Sequence, residues 1–313
     1  MIILTGTTGG LGAPLLTTLL SKNLLPPSEI IISSANPSSP SHALARSAGI
    51  EIRYGDMTKP ETLLESYRGA EVLYLTSYPS TGFERYKYHK ACIDAAKQAG
   101  VKHIIYTSLL FGGLDGEESH ASVMQAHIST VAYLKASGLT WTVVREATYA
   151  HLWNNFAGFV RVGDEGVNEV VVAGDGRVSW ADRRELGEGT AFVVAGWRNY
   201  INKSIALTGP ELLTVEDIVN KYTNYTNRPP ITFRKVGAKQ AIEYHEQRGS
   251  LPPEQEGFLR DWTTWGEALE NGEMNFLDPT LETLLGRKAK TIDQLARVLF
   301  RGETNGLDTK DFN

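Results

Sequence analysis

Cysteine occurs once in the 313 residues, as Cys92. No disulfide can form within the chain, which excludes the stapled secreted scaffolds and points to a reducing compartment, the cytoplasm. Its helical setting, "YHKACIDAAKQAG", reads as that of a small buried hydrophobe. Positive charge is also short: 31 Lys and Arg stand against 36 Asp and Glu, a net charge of -5. A chain without a basic excess lacks the usual means of neutralising nucleic-acid phosphates. Long apolar runs are missing too, since "VLYL" and "EVVVA" fall far below the roughly 18 residues of a membrane span. Neither nucleic acid nor membrane is therefore expected as a partner. A strand expected from residue 2 leaves no room for a cleavable leader. No pair of His, Cys, Asp or Glu has metal-ligand spacing, and no metal is expected.

What the chain has is rhythm. Short β-branched runs recur at 2–5, 29–33, 51–54, 71–76, 103–108 and 140–145, separated by stretches of helical apolar spacing at 11–22, 41–48, 60–67, 83–99 and 119–137. Continuous apolar runs suit strands buried on both faces, and strand–helix alternation predicts an α/β fold: a Rossmann-type doubly wound parallel sheet. The pattern changes after Arg145. We expect a dinucleotide-binding domain over 1–150 and a smaller, mostly helical substrate region over 151–300. Strands near 168–172 and 203–207 would extend the fold, and a frayed tail covers 301–313. Thr214, with Asp217 three residues on, predicts a helix start.

The first strand runs into "TGTTGGLG". Gly6, Gly9 and Gly12 have the spacing of a phosphate-binding turn: Gly6 for the tight bend, Gly9 for close approach of a pyrophosphate, Gly12 for packing the helix on the strand. Thr7, Thr8, Gly10 and Leu11 complete the loop, and the helix end supplies unpaired N–H donors and partial positive charge. Pro14 falls in the first turn, where its missing N–H costs nothing. The second strand ends in Ser33, Ser34, Ala35 and Asn36, without the acidic residue that holds a ribose 2′-hydroxyl and without an Arg for a 2′-phosphate. Such hydroxyls suit either cofactor; NADP(H) is the expected one, with NAD(H) as the alternative.

Together with "GD" at 55–56, "IDAAKQAGVKHIIYTS" at 93–108 and "SGLTWTVVRE" at 137–146, the chain resembles the NmrA-like group of atypical short-chain dehydrogenases. The resemblance runs on through "IALTGPELLTVEDI" (205–218), "FLRDWTTWGEALENGE" (258–273) and "DPTLETLLGRKAKTIDQL" (278–295), nearly the whole chain, and is nearest to the reductases of quinones, triphenylmethane dyes and azo dyes. It implies, with the strand-end rule, that Ser33, Ser34 and Asn36 hold the adenosine ribose and Asp56 and Met57 the adenine. Thr76, Ser77, Tyr78, Thr107, Ala147, Thr148 and Tyr149 would hold the nicotinamide end.

In the wider dehydrogenase family a Ser after the fifth strand precedes a Tyr and, four residues later, a Lys that handle the proton. Here Ser108 is present, but the Tyr and Lys positions fall near Ala121 and Gln125. Tyr86 and Lys90 have the same spacing but precede the fifth strand and read as a solvated helix face. Ser108, Gln125 and His127 are the remaining catalytic candidates, although residues 125 and 127 lie about 200° apart on a helix. Quinones, iminium ions and azo bonds accept a hydride with protons arriving later from water, whereas ketone reduction would lose the ~10² to 10⁴ of general acid catalysis. The expected reaction is therefore hydride transfer to a small apolar or aromatic conjugated acceptor, with Phe111, Tyr149, Trp153 and Phe156 as a flat wall for it or as core. The resemblance also implies an alternative: a cofactor-sensing regulator that binds a protein partner without turnover.

Overall fold

The computed structural model describes residues 1–255 and 257–301. The tail expected from residue 302 onward lies outside the described residues. The apolar runs become strands at or within a residue of their expected ends: β1 Ile2–Leu4, β2 Ile30–Ser34, β3 Glu51–Tyr54, β4 Val72–Leu75, β5 His103–Leu109 and β6 Thr140–Glu146. After these come β7 Thr148–Tyr149, β8 Glu169–Val172, β9 Val178–Ala181, β10 Lys203–Leu207, β11 Leu212–Leu213 and β12 Thr232–Lys235.

β1 to β6 and β10 form a seven-stranded sheet in the order β10-β6-β5-β4-β1-β2-β3, with every pair parallel. The order reverses between β1 and β4, so a crevice opens at the carboxyl ends there, the usual ligand position in such sheets. Period-two alternation feeds two apolar layers. Ile2, Leu4, Val72, Tyr74, Ile105 and Val144 face one layer, while Ile3, Leu73, Leu75, Ile104, Tyr106 and Val143 face the other. The run 203–207 pairs with β6, Leu207 opposite Glu146, so the main sheet takes a strand from beyond residue 150.

Helix Gly12–Ser21 follows the glycine turn and packs against helix Arg183–Ala195. Gly187 makes that approach close: a Cβ there would lie 2.4 Å from the Leu11 carbonyl oxygen. The contact brings the head of helix Arg183–Ala195 over the turn. Helices Arg85–Gln98 and Ser122–Ala136 cover the opposite face. The later chain adds a three-stranded sheet in the order β11-β9-β7, a parallel β12-β8 pair and helices Val215–Thr226, Ala238–Arg248, Phe258–Glu270, Thr280–Leu285 and Ile292–Arg301. Thr214 caps the first of these reciprocally. Its hydroxyl accepts from Asp217 N at 3.0 Å, and the Asp217 carboxylate accepts from Thr214 N at 2.9 Å. Among the described residues no helix is long and apolar enough to cross a membrane, and no group of three His, Cys, Asp or Glu side chains is placed to hold a metal.

Candidate functional site

The turn 5–12 has the backbone its glycines suggest. Gly6 has φ +64°, a left-handed conformation that costs glycine nothing, and its carbonyl accepts from Gly9 N at 3.1 Å. A Cβ on Gly12 would lie 2.2 Å from the Gly6 oxygen, so the helix can start this close only with glycine there. A Cβ on Gly9 would meet nothing nearer than 3.5 Å, so this position is open from the protein's side. Thr7 is buried and its hydroxyl has no hydrogen-bond partner within the protein. An open backbone cradle, a helix N-terminus and an orphaned hydroxyl fit an anionic ligand such as a pyrophosphate.

The strand ends beside this turn are tied together. Thr76 N donates to the Thr5 hydroxyl at 2.9 Å, and the Thr76 hydroxyl donates to Thr5 O at 3.0 Å. Ser77 N donates to the Thr107 hydroxyl at 2.8 Å, and Tyr78 N donates to His89 Nε2 at 2.8 Å. A ring nitrogen that accepts a backbone N–H carries no proton, so the His89 proton sits on Nδ1, facing Thr130 Oγ1 at 3.0 Å and the Tyr106 hydroxyl at 3.2 Å. Burial, with Arg85 nearby, lowers the His89 pKa to about 3 and keeps this ring neutral. His89 is thus the support of the loop after β4, a role that no motif announced.

His127 belongs to the same network. It is buried, its Nδ1 lies 2.8 Å from the Tyr106 hydroxyl, and burial together with Arg85 and His89 holds its pKa well below the usual value. Gln125 is exposed and donates to Ser119 O at 2.7 Å. Ser108 is buried, with an unpartnered hydroxyl, and Ala121 is buried at the start of its helix. Ser108, Gln125 and His127 share no hydrogen bond and lie in three different environments. Lys90 bonds Asp94 at 2.8 Å and lies over the Tyr133 ring.

The four aromatic candidates divide by burial. Phe111, Trp153 and Phe156 are buried in the core, and the single turn Trp153–Phe156 presents its apolar side to β9 and the C-terminal helices. Trp153 packs on Tyr222 and Phe300, and Phe156 packs on Trp180 and Trp265. Tyr149 alone of the four stays partly exposed.

At the end of β2 the Ser33 side chain is separated from its neighbours. The Ser33 hydroxyl bonds Ser66 Oγ at 2.7 Å beneath Gly55, away from the strand end. Ser34 Oγ meets His42 Nε2 at 3.0 Å and accepts from Asn36 N at 3.1 Å. The Asp56 carboxylate accepts from Thr58 N at 2.9 Å and from its hydroxyl at 2.7 Å, ordering the turn after β3, where Met57 is half-buried.

Similarity to known proteins decides the family. The family model for NAD(P)H-binding proteins matches residues 6–171. An NmrA-like family domain-containing oxidoreductase of Aspergillus flavus is 30% identical over 289 residues, 91% of this chain and 90% of the relative. The chain belongs to the NmrA-like NAD(P)H-binding oxidoreductases. Quinone oxidoreductase 2 of Escherichia coli is 31% identical over 75% of this chain and 78% of its own. The crystal structure of an NADPH-dependent quinone oxidoreductase from Escherichia coli complexed with NADPH superposes with TM-score 0.82 and 27% identity, over 96% of this chain and 100% of that one.

Three groups in this NmrA-like chain were hidden from sequence reading. Arg46, in helix Ala43–Ser47, reaches back over the loop after β2, donating to Pro37 O at 3.1 Å and Ser39 O at 2.6 Å. Glu146, the last residue of β6, is buried and its Oε2 accepts from the Tyr149 hydroxyl at 2.6 Å. Burial pushes its pKa up to about 8. Arg183 lies with its guanidinium against Gly10, where an added Cβ would be 1.9 Å from Cζ, and 5.8 Å from the centre of the Tyr149 ring. Two further side chains brace the rim. Arg145 donates to the carbonyls of Leu109, Leu110, Phe111, Gly113 and Leu114, and the Glu273 carboxylate collects Gly112 N, Ser119 Oγ, His120 N and His120 Nδ1.

Proposed function

We propose that this protein uses NADPH to reduce a small planar conjugated acceptor, with quinones first and iminium or azo compounds after them. The observation that carries the reading is the glycine turn: its backbone is preformed, its Gly9 position is open and its Thr7 hydroxyl lacks a partner. When bound, a reduced nicotinamide supplies a hydride.

In this reading the N–H groups of Thr7 to Gly12 hold the pyrophosphate. Ser34 and Asn36 hold the adenosine ribose, Asp56 and Met57 flank the adenine, and Thr76 to Tyr78 with Ala147 to Tyr149 surround the nicotinamide end. Arg46 beside Asn36–Ser39 favours a 2′-phosphate, and hence NADP(H), by its charge. Thr107 and His89 act on the loop backbone rather than on a ligand. Ala121 and Gln125 offer no proton-handling pair, which favours acceptors that take a hydride first. The named activity of the Escherichia coli quinone oxidoreductase, 31% identical, supports the choice of quinones.

The test is to mix the protein with NADPH or NADH and a panel of quinones, and to follow the absorbance of the reduced nicotinamide. Quinone-dependent oxidation with NADPH preferred is the expected result. Tight binding of oxidised and reduced cofactor with no turnover on any acceptor would overturn the reductase reading and leave a cofactor-sensing regulator.

A further inference from the structure

We propose that Glu146 and Tyr149 form a proton relay for the acceptor: the Tyr149 phenol gives its proton to the acceptor oxygen once hydride has arrived, and the Glu146 carboxyl restores it. This deepens the reading of the protein as a quinone reductase and rests on it.

The pair stands at the carboxyl ends of the sheet, the side on which ligands of such folds bind. Glu146 ends β6, and Tyr149 lies in the short strand that follows. The carboxyl is 2% exposed, whereas Tyr149 keeps part of its surface open. An acid shielded from solvent thus stands behind a phenol that a ligand can meet. Their oxygens are 2.6 Å apart, with the phenol donating to Oε2. A neutral carboxyl and a phenol are each both donor and acceptor, so the same contact can run in the other sense. With the carboxyl O–H donating, the phenol proton is free for an acceptor.

The surroundings keep a proton on Glu146. Its Oε1 is buried with no hydrogen-bond partner within the protein, a costly position for an ionised carboxylate. The groups that face it are Tyr74 from β4, Tyr149 and His151 from the chain after β6, and Arg183 and Asp182 from the head of helix Arg183–Ala195. Both tyrosines are held neutral by burial, well above their usual range, and burial lowers His151 to about 3. Asp182 is engaged by Arg184 N at 3.0 Å, Arg184 Nε at 3.2 Å and Lys290 at 3.2 Å. The Tyr149 bond and Arg183 favour the ionised form, but burial outweighs them and brings the pKa to about 8. A further partner on Arg183 weakens its pull and leaves the carboxyl protonated more often, not less. Because the phenol is the weaker acid of the two, the net donor is Glu146. Hydride adds two electrons and one hydrogen to a quinone and leaves an oxyanion. The Tyr149 O–H bond breaks as the acceptor O–H bond forms, the phenol oxygen takes the Glu146 proton, and the carboxylate regains a proton from water after the product leaves. NADPH is the reductant consumed, and one proton comes from water per turnover.

The test compares a quinone with a cationic triarylmethane dye that resists hydroxide, because the dye becomes neutral on taking a hydride and needs no proton. In wild type with NADPH, kcat on the quinone should fall above about pH 8, by up to about tenfold per unit, and show a normal solvent deuterium isotope effect, while kcat on the dye shows neither. Glu146→Gln should lower the quinone-to-dye ratio of kcat at pH 7 by about tenfold or more and flatten the pH profile; Tyr149→Phe should lower that ratio by ~10² to 10⁴. Without cofactor, infrared difference spectra should show the C=O stretch of a protonated carboxyl at about pH 7 that fades by about pH 9.5 and is missing from Glu146→Gln. No such band in wild type, the same pH dependence for quinone and dye, or an unchanged quinone-to-dye ratio in either variant would overturn the relay and leave the reductase reading standing. No turnover of either acceptor would overturn both. Should Glu146→Gln fail to fold, the wild-type pH profiles, the isotope effect and Tyr149→Phe decide it.

Discussion

Two glycines three residues apart should respond to substitution in opposite ways. At Gly9 a new side chain finds open space, since the nearest protein atom to an added Cβ is the Gly6 oxygen at 3.5 Å, and the backbone is not left-handed. Gly9→Val should therefore leave the melting temperature within about 1–2 °C of wild type, as for a surface change of a few tenths of a kcal/mol. The valine would occupy the face where the N–H donors await an anion. Charge-assisted hydrogen bonds are worth about 1.5–3 kcal/mol each, so blocking two should raise the Kd for NADPH by roughly 10² to 10⁴. At Gly12 the added Cβ would sit 2.2 Å from the Gly6 carbonyl, a backbone atom that cannot rotate away. Gly12→Ala should cost the fold about 1–3 kcal/mol, a fall of roughly 2–4 °C for each kcal/mol in a domain somewhat smaller than this chain. Calorimetry of cofactor binding and thermal melts of both variants make the assay. A Gly9→Val protein that binds NADPH with wild-type affinity would show that the turn is not the phosphate site. A Gly12→Ala protein as stable as wild type would show that the helix start is not sterically fixed.

Other perturbations have equally specific outcomes. Arg46→Ala should weaken NADPH by about tenfold or more while changing NADH little, and an unchanged NADPH:NADH affinity ratio would remove Arg46 from the 2′-phosphate reading. His89 and His151 have pKa values lowered to about 3 by burial, so the unfolded chain binds more protons than the native one below about pH 6.5. Stability should therefore fall on acidification, by about 1.4 kcal/mol per pH unit for each ring, and urea melts that show no loss between pH 6 and 4.5 would contradict it. Glu273→Ala would strip the partners from Gly112 N, His120 N and Ser119 Oγ, and should cost about 2–4 kcal/mol. Faster amide hydrogen exchange confined to residues 112 and 120 is the expected local sign, and unchanged exchange would refute the role.

The sheet was legible because its information is local. Each strand of the parallel core is a short β-branched run, and each helix repeats at 3.6 residues, so neither needs knowledge of its partner. The glycine turn was legible for the same reason. Side chains whose surroundings come from distant elements were not. Ser33 and Ser34 look equivalent in sequence, yet one is drawn under Gly55 to Ser66 and the other stays at the strand end with His42. Trp153 and Phe156 have the spacing of an aromatic wall, but that spacing is equally the spacing of a face turned into the core, and only helices later in the chain determine which.

Groups that handle protons depend on distant elements in the same way. A register counted from β5 leads to helix Ser122–Ala136, which packs on the layer containing Tyr106 and Leu134, and there it finds Ala121 and Gln125. The acid–phenol pair Glu146 and Tyr149 lies at the end of β6, beside Tyr74 and the layer that contains helix Gly12–Ser21, and its charge partner Arg183 arrives from a helix that packs against that one. Glutamate at a strand end is unremarkable in a sequence. It becomes chemically distinctive only when burial removes water from it and a distant guanidinium is placed within reach. Burial and long-range placement, rather than motif, are what set such an ionisable group apart.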